Sequence, residues 1–187
     1  MFRQSGGDYF NPDEVTARIL AANPGLGAGA ANSAAWHAGK RLLERAVAER
    51  LDFAFETTLG GHTITALLQQ ALAVGFEVRV WFVGLSSPEL HIARVRSRVA
   101  RGGHDISEET IRERYDRSRI NLIALMPRLT ELRVFDNSFE ADPRAGRVPR
   151  PALILHLAKG KIVQMADLTE TPPWAKPLVA AAVRSSK

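Results

Sequence analysis

Hydrophobic and polar positions along the chain follow two periods in turn, one typical of helices and one typical of strands. Helical spacing and helix-start signals predict helices over residues 12–22, 33–50, 62–75, 88–101 and 107–127. Short apolar runs predict strands at 9–10, 53–55, 78–85 and 132–135. Strands that alternate with helices indicate an α/β protein whose sheet is mostly parallel and flanked by helices.

The longest apolar run, residues 78–85, is typical of a parallel strand that is buried on both faces. We therefore expect Trp81 in the core, and we expect Trp36 there as well. Residues 152–157 and 161–165 flank a Lys-Gly pair and predict an appended β-hairpin.

The segment before this hairpin is the predicted boundary between the main domain and the C-terminal part of the chain. Residues 142–151 contain three prolines and are the expected linker. The predicted division is a main domain over 1–141, followed by linker, hairpin and tail over 142–187. Trp174 is expected to pack the tail down.

Composition narrows the class of protein. The 187 residues are 45% hydrophobic and 24% charged, as in an ordinary soluble domain. There is no cysteine, which excludes disulfides and thiol catalysis and fits a cytoplasmic setting. The first residues lack the apolar core of a signal peptide. Residues 19–39 and 57–76 carry no charge, but both stretches are interrupted by polar residues or glycine and neither is typical of a membrane span. The net charge of +5 suits anionic partners such as nucleotides, phosphates or nucleic acid.

Polar residues follow the predicted strands, where ligands bind in sheets of this kind. Asp13 follows the first strand at the start of a helix, where a carboxylate can accept a proton from a substrate hydroxyl or bind Mg²⁺. The alternative is an acidic residue that only complements the helix dipole. Glu56, Thr57 and Thr58 follow another strand and can orient a sugar, or can form an ordinary hydrogen-bonded loop.

An arginine-rich segment spans two predicted helices joined at Gly102-Gly103. Two such helices resemble a lid that closes on phosphates, because the planar guanidinium pairs with two phosphate oxygens. The alternative is a solvated basic face, partly neutralised by neighbouring acidic residues. The histidines are scattered, so the sequence predicts no metal site built from protein side chains alone. The arginines concerned are Arg94, Arg96, Arg98, Arg101, Arg112, Arg114, Arg117 and Arg119.

Taken together, these stretches resemble the zeta toxin/UDP-N-acetylglucosamine kinase family of P-loop kinases. The resemblance covers about residues 6–140, all in order, and it implies a P-loop-kinase-like sheet with flanking helices. The matching segments are GDYFNPDE at 7–14, DFAFETTLGG at 52–61, SPEL at 87–90, RGGHDI at 101–106, RERY at 112–115 and FDNS at 135–138.

On the acceptor side, the resemblance implies roles for three residues. Asp13 matches the carboxylate that activates the sugar hydroxyl. Glu56 and Thr58 match substrate-binding positions, and we place Asn11 with them.

On the nucleotide side, Arg101 and Arg114 match the lid arginines that hold the phosphates, with Arg98 and Arg117 as competitors for that role. Asn137, next to Asp136, lies near the position where such kinases hold the adenine. ATP and Mg²⁺ are the implied cofactors.

One feature of the family is absent from the sequence. No G-x-x-x-x-G-K-[S/T] motif occurs, so the first strand and the phosphate-binding loop of the family are missing. That strand is expected between the strands at 53–55 and 78–85. The two strands could close up, another segment could fill the gap, or the chain could be incomplete, which we favour.

The resulting functional expectation is an ATP-dependent kinase acting on a hydroxyl of a sugar or UDP-amino sugar, with an antitoxin protein as a further partner. A second hypothesis is a non-catalytic relic or a protein-binding regulatory domain, since the phosphate-binding motif is missing. A third is a nucleic-acid binder, suggested by the basic charge alone; no recognised motif supports it and aromatic residues near the arginines are sparse.

Overall fold

The computed structural model describes residues 8–103, 105–139 and 150–186. It contains six strands and six α-helices in the described part, and the α/β class is confirmed. Most of the expected linker, together with Gly7 and His104 of the quoted motifs, lies outside the described residues. The elements are β1 (Asp8–Phe10), α1 (Pro12–Ala22), α2 (Ala28–Glu49), β2 (Phe53–Phe55), α3 (His62–Ala73), β3 (Arg79–Gly84), α4 (Pro88–Val99), α5 (Glu108–Leu125), β4 (Glu131–Asp136), β5 (Ala152–Ala158), β6 (Lys161–Met165) and α6 (Lys176–Ser185).

The chain divides into two compact units, Met1–Thr58 and Leu59–Lys187. In the first unit, β1 and β2 pair in parallel, with Phe10 opposite Phe55. Helix α1 begins as predicted, because the Asn11 side chain caps it by accepting hydrogen bonds from the next two free backbone N–H groups. Helix α1 packs against α2.

Helix α2 begins at Ala28, five residues earlier than the sequence predicts. Its first turns are rich in alanine, the strongest helix former, which outweighs the glycine at position 29. Ala31 and Ala35 are fully buried, and their small side chains allow close approach at this end of the helix. The expectation that Trp36 lies in the core is wrong: it is 42% exposed, because the buried face here consists of alanines.

In the second unit, four strands form one sheet in the order β3-β4-β5-β6. β3 and β4 are parallel, from Arg79 opposite Glu131 to Gly84 opposite Asp136. The hairpin β5–β6 is confirmed, and it adds the two antiparallel pairs. Its turn residues Lys159 and Gly160 both have positive φ, as a two-residue hairpin turn requires.

The core of the second unit lies on one face of this sheet. Helix α5 packs against helix α6, and α6 also packs against β6. In the described ranges, five leucines are fully buried: Leu122, Leu125, Leu132, Leu155 and Leu178. Burial of this size stabilises such a unit by about 1.5–3 kcal/mol per large aliphatic side chain.

The other face of β3 is open. Trp81 is 45% exposed and Val83 is 51% exposed, so the expectation of a strand buried on both faces, with Trp81 in the core, is wrong. The physical reason is that β3 is the outer strand of its sheet, since in the described part of the chain it pairs with β4 alone. β2 belongs to the other sheet, where it pairs with β1.

Trp174 packs the tail onto the second unit, as predicted. Its indole is 6% exposed, and its Nε1 donates a hydrogen bond to Asp136 Oδ1 at 3.1 Å. The ring lies over Gly84, where a Cβ atom would overlap it. The C-terminal segment is therefore part of this unit's core. None of the helices in the described ranges has the length and hydropathy needed to cross a bilayer.

Candidate functional site

The carboxyl ends of β1 and β2 bring polar side chains together in the first unit. The parallel register continues past the strands, since Glu56 N donates to Phe10 O at 3.0 Å. Tyr9 donates its hydroxyl proton to Glu56 Oε1, and Asn11 Nδ2 donates to Glu56 Oε2 at 3.3 Å. Both carboxylate oxygens of Glu56 thus accept hydrogen bonds from neutral donors, which orient the group.

Asp13 is attached to this network through the helix cap. Its backbone N donates to Asn11 Oδ1 at 2.9 Å, while the amide of the same Asn11 side chain holds Glu56. Asn11 therefore links the two carboxylate-bearing residues at one end of the two-stranded sheet. Thr58 is exposed two residues beyond Glu56.

The contribution of Tyr9 was missed by the sequence reasoning, which quoted this residue only as part of a motif. Its partner Glu56 lies 47 residues away, so no local pattern reveals the pair. The available signal was the parallel pairing itself, which places the two strands side by side. The hydrogen bond to the Glu56 carboxylate is the largest of the causes that raise the pKa of the Tyr9 phenol above 10.0, with burial next.

A titration of the two tyrosines tests this geometry. In Glu56→Gln, the pKa of Tyr9 should fall back toward 10.0, because the negative acceptor is gone, while the pKa of Tyr115 should stay raised by its own burial. Ultraviolet difference absorbance measures both, and Tyr9→Phe assigns the two transitions. Since the pKa of Tyr9 is raised, the hydrogen bond contributes stability below pH 10 and loses it as the pH rises through the raised pKa. An unchanged Tyr9 transition in Glu56→Gln would contradict the pairing.

Most arginines of α4 and α5 are engaged within the second unit. Four pair with carboxylates on the same two helices or the turn before them, and Arg94 donates to Asn137 O at 2.8 Å. These arginines therefore have partners within the second unit, and their part in phosphate binding stays a prediction. The ion pairs are Arg96–Glu108, Arg112–Glu89 at 2.6 Å, Arg117–Glu113 at 3.6 Å and Arg119–Asp116.

Arg101 and Arg114 differ from their neighbours. Both are exposed, and neither forms an ion pair with the residues that the structure describes. Arg101 donates its Nε to Ser97 O at 3.1 Å, which leaves its terminal nitrogens without a hydrogen bond to the residues that the structure describes. Arg98 is half-buried beside Gly103. Among the predicted phosphate-binding residues, Arg101 and Arg114 have the guanidinium groups best placed to meet an anion from solvent.

Tyr115 ties the loop after β3 to helix α5. Its hydroxyl lies 3.1 Å from Leu85 O and 2.9 Å from Ser86 O, and it donates to these carbonyls. The guanidinium of Arg119 stacks 3.8 Å above its ring. His91 meets the ring edge-on, and burial, followed by nearby arginines, lowers the pKa of this imidazole, which is therefore neutral at pH 7.

Most polar groups at the end of β4 form hydrogen bonds within the second unit. Asp136 is buried, and its Oδ1 accepts from Ser138 N at 3.2 Å, from the Ser138 hydroxyl and from Trp174 Nε1. Asn137 donates its backbone N to Gly84 O at 2.9 Å. The half-buried Asn137 side chain stays a prediction for the adenine site.

The donor set of the described ranges does not fit a metal ion held by the protein alone. No group of three or more His, Asp or Glu side chains within those ranges could hold one. Asp13 and Glu56 are the two carboxylates at the strand ends of the first unit.

Strands alternating with helices, polar groups at the carboxyl ends of parallel strands and arginines on the following helices define an α/β protein of the P-loop-kinase-like class. The chain belongs to the zeta toxin family, whose model, described as "Zeta toxin", matches residues 14–142. An uncharacterized protein of Haemophilus influenzae is 31% identical over 103 residues, which is 55% of this chain and 71% of the relative. No solved structure gives a significant match. Asn11 and Asp13 lie just before the matched range.

Proposed function

We propose that the protein is a phosphotransferase that moves the γ-phosphoryl group of ATP to a hydroxyl of a sugar or UDP-amino sugar. Membership of the zeta toxin family supports a P-loop-kinase-like activity. The observation that carries the finer proposal is the linked network of Glu56, Asn11 and Asp13 at the ends of two parallel strands. A protein antitoxin and a cytoplasmic location belong to the same proposal.

In the proposed reaction, the Asp13 carboxylate accepts the proton of the acceptor hydroxyl. The acceptor oxygen then forms a bond to the γ-phosphorus, and the bond from that phosphorus to the β–γ bridging oxygen breaks, so that ADP leaves. Glu56, Thr58 and Asn11 bind hydroxyl or amide groups of the acceptor. Glu56 is suited to this because its carboxylate is already oriented before the acceptor arrives.

We propose that residues of the second unit bind the nucleotide. Arg101 and Arg114 pair with phosphate oxygens and neutralise the charge that spreads over them in the transition state. Arg98 and Arg117 are second choices, because Arg117 lies 3.6 Å from Glu113 and Arg98 is half-buried. Asn137 is proposed to meet the adenine.

A second candidate is a protein-binding regulatory domain without catalysis. Two observations favour it: the sequence carries no G-x-x-x-x-G-K-[S/T] motif, and β3 leaves Trp81 and Val83 exposed at a sheet edge. Adjacent exposed apolar side chains of this kind are a feature of surfaces that bind another protein.

A transfer assay separates the two candidates. The full chain is incubated with radiolabelled ATP and with UDP-N-acetylglucosamine, free N-acetylglucosamine or no acceptor. The kinase proposal expects label in the sugar product and ADP release that depends on the acceptor. Failure to bind ATP saturably, together with no transfer to either sugar, would contradict the kinase proposal and favour the regulatory domain.

A further inference from the structure

Leu59, the first residue of the second unit, has a backbone conformation that leucine rarely adopts. Its φ is +54°, in the left-handed region, where the Cβ atom is crowded by the backbone. The side chain is 4% exposed. Among the described residues, two others that are not glycine have a positive φ, and both have local explanations, since Arg50 ends α2 and Lys159 occupies the hairpin turn. Leu59 occupies neither kind of position, so tertiary contacts must hold it.

Those contacts come from Asn121, 62 residues further along the chain on α5. Its Nδ2 donates to Leu59 O at 2.8 Å and to Gly61 O at 3.3 Å. An amide nitrogen has two protons, so one side chain can serve both carbonyls. Gly61 O also accepts from Thr65 Oγ1 at 3.0 Å. We call the two hydrogen bonds from Asn121, to Leu59 O and to Gly61 O, the Asn121 clamp.

A second contact presses the same loop onto the same helix. A Cβ atom on Gly60 would lie 2.7 Å from Arg114 Cγ and 3.3 Å from Arg114 Cα. Only a residue without a side chain fits against the helix so closely. Arg114 and Asn121 are seven residues apart, which is two helical turns and places them on one face of α5. The loop is thus held at two points along that face.

We propose that Asn121 is a positioning residue for acceptor binding, an inference that rests on the proposed function. Thr58, the proposed acceptor ligand, is bonded directly to Leu59, so the backbone conformation that the Asn121 clamp holds at Leu59 acts on the peptide bond next to Thr58. The contact at Gly60 steadies the stem of Arg114, the proposed phosphate ligand. A left-handed backbone conformation at leucine costs free energy, and conformations of this kind cluster at functional sites.

The test compares Asn121→Ala and Gly60→Ala with the control Gln69→Ala, an exposed amide on α3. In both test variants of the full chain, the Kd for UDP-N-acetylglucosamine should rise about tenfold, and KM for this acceptor should rise more than kcat falls. Amide hydrogen exchange in the peptide spanning residues 56–61 should be about fivefold faster. The control should leave all three quantities unchanged.

Each outcome decides between the proposals. Unchanged exchange and unchanged Kd in Asn121→Ala would overturn the inference. Faster exchange with an unchanged Kd would also overturn it, because the clamp would then order the loop without positioning the acceptor. If the unmodified chain binds no UDP-sugar, the proposed acceptor is contradicted. In that case, amide hydrogen exchange still tests whether the Asn121 clamp orders the loop. Faster exchange in Asn121→Ala supports this ordering, and unchanged exchange overturns it.

Discussion

Asp13→Asn is expected to lower phosphotransfer by about 10²–10⁴-fold, the usual contribution of a positioned general base. The asparagine keeps the size of the side chain and loses only the ability to take the hydroxyl proton. The cap of α1 is preserved, because it is formed by the Asn11 side chain and the backbone N of Asp13. Affinities for ATP and for the acceptor should therefore stay nearly the same, so the loss appears in kcat.

The matched control is Glu14→Gln, the next residue in the same helical turn. Glu14 is an exposed acid that pairs with Arg18 at 3.3 Å. Removing its charge costs the α1 terminus about 0.3–1 kcal/mol at most and should leave turnover intact. Steady-state kinetics with UDP-N-acetylglucosamine measure both variants. Full turnover in Asp13→Asn would reject Asp13 as the base, and equal losses in both variants would assign the effect to helix charge.

The elements that the sequence predicted well are those specified by neighbouring residues. The start of α1 is defined by Asn11, which caps the helix, and by Pro12, its first residue. Both signals act within residues 11–14. The turn at Lys159 and Gly160 defines the β5–β6 hairpin in the same way. In both cases the physical cause acts over one turn of chain, so a reading of the sequence contains all the information needed.

The features that the sequence did not reveal depend on partners far along the chain. Trp81 lies in a run that looks buried, but its exposure depends on what pairs with β3. The bond from Tyr9 to Glu56 needs the β1–β2 register, and the clamp on Leu59 needs a residue 62 positions away. Asp136 was predicted near an adenine, and the structure shows its Oδ1 bound to Trp174 and Ser138.

Trp174→Ala is expected to destabilise the second unit by about 3–5 kcal/mol, a large share of the 5–15 kcal/mol typical of a domain. The mutation removes a buried indole that lies over Gly84 and 6.3 Å from the ring of Phe82. It also leaves the buried Asp136 with one hydrogen-bond donor fewer. Urea denaturation measures the change as a lower midpoint at a similar slope.

Trp81→Ala is the matched control, since this indole lies on β3 but is 45% exposed. Its loss should be much smaller, because far less apolar surface leaves a packed environment. Trp174→Phe should give an intermediate loss, keeping part of the packing and losing the bond to Asp136. If Trp174→Ala unfolds at the unmodified midpoint, the tail is not part of the cooperative unit.

Gly84→Ala approaches the same contact from the sheet. A Cβ atom there would overlap the Trp174 ring, so the variant should also be strongly destabilised, by about 1–3 kcal/mol through overpacking. In the double variant Gly84→Ala/Trp174→Ala, the added methyl group meets the space that the indole left. The two losses should then sum to less than the separate values, by about 0.5–3 kcal/mol. Strict additivity would show that Gly84 and Trp174 do not share one contact. A clear coupling would make residues beyond the family match at 14–142 part of the structure that supports the end of β4 and Asn137.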